Sequence, residues 1–376
     1  MKVLRRRHES DTTMHIVKTR SEQARFDFVA GLMGYNSTGI GPAMVRHYQA
    51  HQDKFGGRAP TLAETKSLME AGIPYKFGAF FERHNHALMF QTILDILDKQ
   101  KDEVIAWLDD INPPGAKGSL TLDPSVEVPR YYKNVEIHTQ PGSFHGNPFA
   151  GIMYHWMIGP FLCHRDDNNE MGWALANGVP ARDFKTIVDF GCGMGKTTVP
   201  YCDKFPGAKV YGVDYAAPML KYGHKFAEAQ GKPVHFVQAR AERTPFADNS
   251  VDLVAAIWLF HEINKQAMDE VCAEAFRILK PGGVFAIMES PPFKVLREQY
   301  HPLSEFLLDS TGRRMEDPFI PLFFSLDRTE LLKKAGFADA RDVPLPNHLT
   351  GWSTNVDYFF GAYPWWMTIG EKPGAH

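Results

Sequence analysis

Val188-Asp-Phe-Gly-Cys-Gly-Met-Gly195, with Val210-Tyr-Gly-Val-Asp214 close behind it, is the stretch that decides the fold. Apolar Ile187 and Val188 lead as a strand into Asp189. Gly191, Gly193 and Gly195 then let the backbone turn tightly and approach a ligand without a Cβ in the way. The residues after Gly195 run on as a helix toward Cys202 and Asp203, and a second β pattern over 209–213 ends at Asp214. A carboxylate about twenty residues past such a turn is an acceptor able to grip both hydroxyls of a ribose. Strand, glycine turn, helix, and a strand ending in an acid describe the nucleoside-binding half of a doubly wound α/β sheet. At this level an NAD site and an S-adenosylmethionine site both fit.

Spacing and charge separate the two. A dinucleotide turn reads Gly-x-Gly-x-x-Gly, with the following helix aimed at a pyrophosphate. Here it reads Gly-x-Gly-x-Gly, with Asp189 two positions ahead of Gly191. That carboxylate repels phosphate but suits the α-ammonium and sulfonium of S-adenosylmethionine. The spacing favours the sulfonium cofactor.

The text downstream continues the alternation. Asp252-Leu-Val-Ala-Ala-Ile-Trp258 is a buried-strand pattern, 265–279 has helical periodicity, Lys280-Pro-Gly-Gly283 is a turn, and 284–288 is another strand. Strands alternating with helices build a parallel sheet. With these pieces in place, the chain resembles the class I S-adenosylmethionine-dependent methyltransferases, in the branch of quinone-biosynthesis C-methyltransferases and small-molecule O-methyltransferases. The resemblance is carried by Val188 to Gly195, Gly212-Val-Asp214 with Pro218-Met-Leu220, Thr244-Pro-Phe246 through Asp252, and Leu279-Lys-Pro-Gly-Gly283. It covers 184–344. It implies a Rossmann-like, doubly wound, mostly parallel seven-stranded sheet, preceded here by a mainly helical N-terminal region, and methyl transfer to a small-molecule acceptor.

The whole chain sets outer bounds. Its 376 residues suffice for two compact domains, and 44% apolar with 23% charged residues describes an ordinary globular protein. A net charge of −3 offers no general attraction to nucleic acid or anionic lipid. Seven Lys and Arg against three Asp and Glu in residues 1–25 read as a solvated basic terminus. No apolar stretch follows Arg5-Arg6-Arg7 as a secretory signal would require, and no segment reaches the roughly 18 apolar residues of a membrane span. A cytoplasmic setting with no nucleic-acid or membrane partner is expected. Cys163, Cys192, Cys202 and Cys272 are too scattered for a disulfide framework and read as reduced thiols.

We divide the chain into residues 1–175, a mainly helical region and lid that covers the site or makes a homodimer, and residues 176–376, the cofactor-binding domain, with an insertion at about 290–325. Thr61-Leu-Ala-Glu64 is a capping box, 80–108 carries one long helical periodicity, and the linker falls within 162–180. Residues 131–146, rich in aromatics, His and Gly, read as a lid, in which Tyr131, Tyr132 and His145 are candidate acceptor contacts. The insertion leaves the sheet at its C-terminal edge, where open α/β sheets bind ligands, and offers Tyr300 and Arg313. A helix over 326–336, a strand over 338–344 and an edge strand over 355–363 complete the expected order.

For the cofactor, Asp189 and the turn residues Gly191, Cys192, Gly193 and Gly195 are expected at the amino-acid end. Asp214 is expected at the ribose, although it could instead cap the next helix, and Tyr215 and Met219 at the adenine face. Relatives place an Asp just before an Ala-Glu pair to read adenine; here Arg240, a donor only, precedes Ala241 and Glu242, so Glu242 or a backbone carbonyl takes that part. The loop after the fourth core strand faces the methyl group in this fold, and it reads Trp258-Leu-Phe-His-Glu-Ile263. Trp-x-x-His-acid is similar to the catalytic histidine segment of small-molecule O-methyltransferases. His261 is therefore the candidate general base and Glu262 the acid that orients it, the competing reading being a packed histidine in a C-methyltransferase. The resemblance favours oxygen as acceptor, with carbon, sulfur or nitrogen open, and a cofactor-binding protein without transfer as the alternative. His138, His145, His155 and His164 match no common zinc spacing, so no metal is expected.

Overall fold

The computed structural model describes residues 16–111, 114–164, 166–299, 303–345 and 365–374. Helices α1 (Arg20–Tyr35), α2 (Gly41–Gln49), α3 (Leu62–Ala71), α4 (Ile73–Leu97) and α5 (Lys101–Asp109) form most of the first hundred residues. Thr19 with Glu22 and Thr61 with Glu64 make reciprocal capping boxes at α1 and α3, the second as read from the sequence. The single periodicity over 80–108 is split at Asp98–Gln100 into α4 and α5. There the Gln100 amide bonds both the N–H and the carbonyl of Val17, at 2.9 and 2.8 Å, and so holds the incoming chain. Phe26, Val29 and Met33 of α1 bury against Met89, Phe90 and Ile93 of α4 in a cluster that runs on into the sheet.

A short strand β1 (Ser119–Thr121) precedes α6 (Ala150–Phe161) and α7 (Glu170–Gly178). Helix α6 is buried on nearly all sides and packs on the sheet-side helix α9 (Ala217–Ala229). Gly151 meets Tyr222 so closely that a Cβ would lie 2.5 Å from it, and His155 Nδ1 sits 2.6 Å from the Tyr222 hydroxyl. Helix α7 occupies the stretch in which the linker is expected.

The second half alternates as expected: β2 (Thr186–Phe190), α8 (Val199–Lys204), β3 (Lys209–Asp214), α9, β4 (Val234–Gln238), β5 (Val251–Ile257), α10 (Lys265–Ile278) and β6 (Leu279–Glu289). The insertion is helical, with α11 (Phe293–Gln299), α12 (Leu303–Arg314) and α13 (Ile320–Ser325). It docks on the N-terminal helices through Phe306 and Leu307 against Met44, Tyr48 and Met69. Helix α14 (Arg328–Ala335), β7 (Ala338–Pro344) and β8 (Trp366–Glu371) close the order.

Among the described residues the sheet has eight strands, in the order β1-β4-β3-β2-β5-β6-β8-β7. All pairings are parallel except those of β8 with β6 and β7. Seven strands come from the second half; the eighth, β1, comes from the first and pairs with β4. Three residues with only Leu120 buried carry no periodicity, which is why the expected count was one short. The edge strand expected over 355–363 lies outside the described residues. The strand nearest the C-terminus, β8, sits inside the sheet, and the edge is β7, whose polar Asp339, Arg341 and Asp342 suit an unpaired flank. Among the described residues no helix is long and apolar enough to cross a membrane.

From β2 the chain winds to β3 and β4 on one side, then crosses to β5 on the other, so a crevice opens beyond the C-terminal ends of β2 and β5. Gly191, Gly193 and Gly195 turn there with φ of 66, 52 and 77°. A Cβ on Gly195 would lie 2.6 Å from the Phe236 ring and would also require a left-handed backbone. Gly195→Ala is therefore expected to cost about 1–3 kcal/mol in thermal or urea unfolding. Gly207→Ala, whose nearest atom is the flexible Lys185 Nζ at 3.8 Å, should stay within about 0.5 kcal/mol of the parent.

Candidate active site

The cleft at this crevice is walled by the glycine turn, the ends of β3 and β5, the stretch after β4, and the lid. Asp189 lies beneath the turn and not on the wall. It is 0% exposed and accepts from the Thr197 and Thr198 hydroxyls at 3.0 and 2.6 Å, while its Oδ1 has no partner among the described residues. Burial pushes its carboxyl up to about 7, although the two hydroxyls pull it down. Gly195 also faces inward, onto Phe236, leaving Gly191, Cys192 and Gly193 on the wall.

Asp214 couples β3 to that turn. Its two oxygens accept from Gly193 N–H and Ala216 N–H, each at 2.9 Å. Burial raises its pKa to about 6, partly offset by those bonds. Tyr215 and Met219 line the cleft, the Tyr215 ring stacked on Tyr132 at 5.3 Å and 12°. Ala241 and Glu242 line it as well. Arg240 and the Tyr131 hydroxyl both donate to Glu242 Oε1, at 2.6 and 2.9 Å, so the arginine is spent on fixing its neighbour. Lys196, paired with the buried Asp166 at 3.0 Å, adds a cation beside the turn. The sequence reading missed this pair because Asp166 comes from another element. The wall thus presents peptide N–H groups, buried acids and a lysine. Together these can hold a nucleoside that carries a cationic amino-acid arm.

The loop after β5 brings Trp258 and Glu262 to the cleft, with Trp258 in the left-handed region at φ 55°. His261 turns inward beside it. Its Nδ1 lies 2.7 Å from Glu289 Oε2, and Phe260 N–H donates to the other oxygen of Glu289 at 3.0 Å. Burial alone lowers the imidazole pKa, but the charge and hydrogen bond of Glu289, with Glu262 and Asp317 behind, raise it to about 9. The carboxylate on His261 is therefore Glu289, at the end of β6, and not the adjacent Glu262 that the sequence pattern pointed to. Glu262 faces the lid, where His138 Nε2 stands 3.2 Å from it.

Of the residues expected at the acceptor, Tyr131 and Tyr132 are on the wall, joined by His138, Phe144 and Tyr154. His145 stands behind them, its Nδ1 3.5 Å from the Tyr215 hydroxyl. Arg313 lies off the cleft, 45% exposed and paired with Asp309 one turn back. Its neighbour Arg314 is half-buried, on Glu82 and Tyr75. Tyr300 lies outside the described residues. The four histidines weighed as a group disperse, with His155 on Tyr222 and His164 beside Asp167.

Comparison with known proteins adds the following. A family model described as a methyltransferase domain matches residues 187–283. A demethylmenaquinone methyltransferase of Thermus thermophilus is 36% identical over 108 residues, 29% of this chain and 48% of that protein, so the chain spans about half of that relative's length. A ubiquinone/menaquinone biosynthesis C-methyltransferase of Paracoccus denitrificans is 30% identical over 192 residues, 50% of this chain and 73% of that one. Among solved structures, a phosphoethanolamine N-methyltransferase of Haemonchus contortus superposes with a TM-score of 0.44 at 19% identity, over 61% of this chain and 60% of the other.

Asp214 is charged above about 6 and neutral below it. A ribose that bonds the carboxylate loses affinity as pH falls through that value. Calorimetric titration with S-adenosylmethionine should show binding that weakens from about pH 7 to about pH 5, and Asp214→Asn should bind at least about tenfold more weakly with that slope flattened. Equal affinity across the range in the parent would remove Asp214 from the ribose site.

Proposed function

The chain belongs to the class I S-adenosylmethionine-dependent methyltransferases, and from that premise we propose that it methylates a small, partly apolar acceptor, at a hydroxyl oxygen in the first instance. The observation that carries this reading is the buried His261–Glu289 contact, at 2.7 Å, which joins the loop after β5 to the end of β6 behind the part of the cleft wall formed by Trp258 and Glu262.

When bound, S-adenosylmethionine supplies an activated methyl group, so the chain's own task is to position the acceptor in line and to take its proton. The cofactor would lie along the wall described above, and the groups present fit it. Asp214 offers carboxylate lone pairs to the ribose, and Tyr215 and Met219 give packing for adenine. Ala241 and Glu242 border the adenine edge, with Glu242 preset by Arg240 and Tyr131. The turn from Gly191 through Cys192 and Gly193 would bind the amino-acid arm, with Gly195 and the buried Asp189 acting through the shape and charge of the turn. Trp258 closes the methyl end. The acceptor would lie against Tyr131, Tyr132 and Phe144 of the lid, beneath the cover formed by residues 1–175.

In this reading His261 is the general base. Glu289 holds Nδ1, which leaves Nε2 as the nitrogen able to accept, and the arrangement repeats the orienting role of a carboxylate behind a catalytic imidazole. With the pair held at about 9, the neutral form is a minority near neutral pH, so the base works through a small active fraction. Glu262 is assigned to the lid side of the site, through His138. Methylation at an acidic carbon is the second reading, favoured by the quinone-biosynthesis relatives; it uses the same cofactor wall and the same proton acceptor.

Labelled methyl transfer from S-adenosylmethionine into the small-molecule fraction of a cell extract tests the activity and identifies the product. With that acceptor, His261→Ala is expected to lower turnover about 100-fold or more while cofactor affinity stays near the parent value. Turnover within a few-fold of the parent would reduce His261 to a packing residue. Calorimetric binding of S-adenosylmethionine with no labelled product in any fraction would instead support a cofactor-binding protein without transfer.

A further inference from the structure

Three side chains from three separate elements converge where the lid meets the loop after β5. His138 comes from the lid, Glu262 from the turn following β5, and Asp317 from the connection between α12 and α13. One donor atom from each lies within 4.8 Å of the other two. His138 and Glu262 form part of the cleft wall, and Asp317 stands behind them, 2% exposed.

Their separations are informative. His138 Nε2 is 3.2 Å from Glu262 Oε1, and His138 Nδ1 is 3.4 Å from Asp317 Oδ2. A charge-assisted N–H to carboxylate bond closes to about 2.7–2.9 Å. The neighbouring His261–Glu289 pair reaches 2.7 Å, so contact of that length is attainable in the same region. Donors around one ion at bond lengths of about 2.1 Å stand about 3.0–3.4 Å apart; His138 Nε2 and Glu262 Oε1 have that spacing, while Asp317 Oδ2 faces the other ring nitrogen. A second observation points the same way: Asp317 Oδ1 is buried and has no hydrogen-bond partner among the described residues. Charge agrees with it. Three carboxylates, Glu262, Asp317 and Glu289, face two imidazoles, His138 and His261, so negative charge is in excess by one away from bulk water.

We propose that His138, Glu262 and Asp317 bind a divalent first-row metal ion at the acceptor end of the cleft, with its open coordination positions facing the acceptor. Nε2 of His138 ligates beside Glu262, and its Nδ1 keeps its proton and donates to Oδ2 of Asp317, whose other oxygen, Oδ1, is the one left to ligate. An imidazole among oxygens favours Zn²⁺, Mn²⁺, Fe²⁺ or Co²⁺ over Ca²⁺ or Mg²⁺. An acceptor hydroxyl placed on the ion would lose its proton more readily: the O–H bond would break, the oxygen would keep the electron pair, and the proton would pass to His261, the base of the methyl-transfer reading. That consequence rests on the methyl-transfer reading; the binding of the ion does not.

The test uses the full chain, stripped with a chelator and titrated with Co²⁺ followed by visible absorption and with Mn²⁺ followed by electron paramagnetic resonance. One equivalent is expected to bind, with the affinity lowered about 100-fold or more in His138→Ala and in Asp317→Asn, and kept in His164→Ala, a histidine outside the cluster. Calorimetric binding of S-adenosylmethionine checks that each variant is folded. The proposal is overturned if the parent takes up no stoichiometric ion, or if both cluster variants bind as the parent does. The three side chains are then an ion-pair cluster alone. Metal binding without labelled product would sink the methyl-transfer reading and leave the site standing, and labelled product without metal binding would do the reverse.

Discussion

The hydrogen bond from Gly193 N–H to the Asp214 carboxylate is the contact on which the cleft depends, because it ties the turn after β2 to the end of the neighbouring strand β3. β2 and β3 run side by side in register from Thr186 opposite Lys209 to Phe190 opposite Val213, and past that point one backbone bond, from Cys192 N–H to the Val213 carbonyl at 3.1 Å, reaches into the turn. Without a further tie the glycine turn would be free to take many conformations, since glycine restricts its backbone least. Asp214 uses one oxygen to hold the turn and the other to hold the start of α9 through Ala216. The cofactor wall is thereby set before any ligand arrives, so little ordering entropy opposes binding.

Around this tie the molecule concentrates buried charge to an unusual degree. Asp189 rests on two threonine hydroxyls, Asp166 on Lys196, Glu289 on His261, and Glu262 with Asp317 on His138. All but the Asp189 contacts, which close one turn, join elements distant in sequence, and each costs desolvation that only close partners offset. Such groups are a poor route to stability, and their gathering along one cleft follows from what the cleft must do: surround a ligand with charge in a medium that screens it weakly.

What could be read from the sequence was what is encoded locally. The glycine turn, the acid ending β3 and the strand–helix alternation through Lys280-Pro-Gly-Gly283 depend on neighbours in the chain, and they carried the fold and the position of the cleft at the glycine turn. Side-chain partnerships between elements left no such trace. Glu289 is 28 residues from His261 and on another strand, so the adjacent Glu262 took its place in the expectation. Arg313 and Arg314 are indistinguishable as text, yet one step along α12 turns one toward Asp309 at the surface and the other into Glu82. His138 shares no spacing pattern with Glu262 or Asp317 because folding, not sequence proximity, brings them together. Chain order likewise conceals that β8 lies inside the sheet, since an antiparallel strand can enter a gap left by earlier ones.

Helix α6 has a consequence for how the cleft opens. It is wedged between α1 and α4 on one side and α9 on the other, and its residues belong to the same apolar cluster as Phe26, Phe90 and Val188. A swinging motion of the first half against the sheet would tear that shared core, so ligand exchange on a catalytic timescale cannot depend on a hinge at α6. The short turns at Arg130–Tyr132 and Ile137–Thr139 are tied to the cleft more lightly than α6 is to its neighbours. Their ties are the Tyr132–Tyr215 stack and the reach of His138 toward Glu262 and Asp317. A few aromatic and ionic contacts thus fasten residues 131–146 over the cleft, on a frame of helices that shares its core with the sheet.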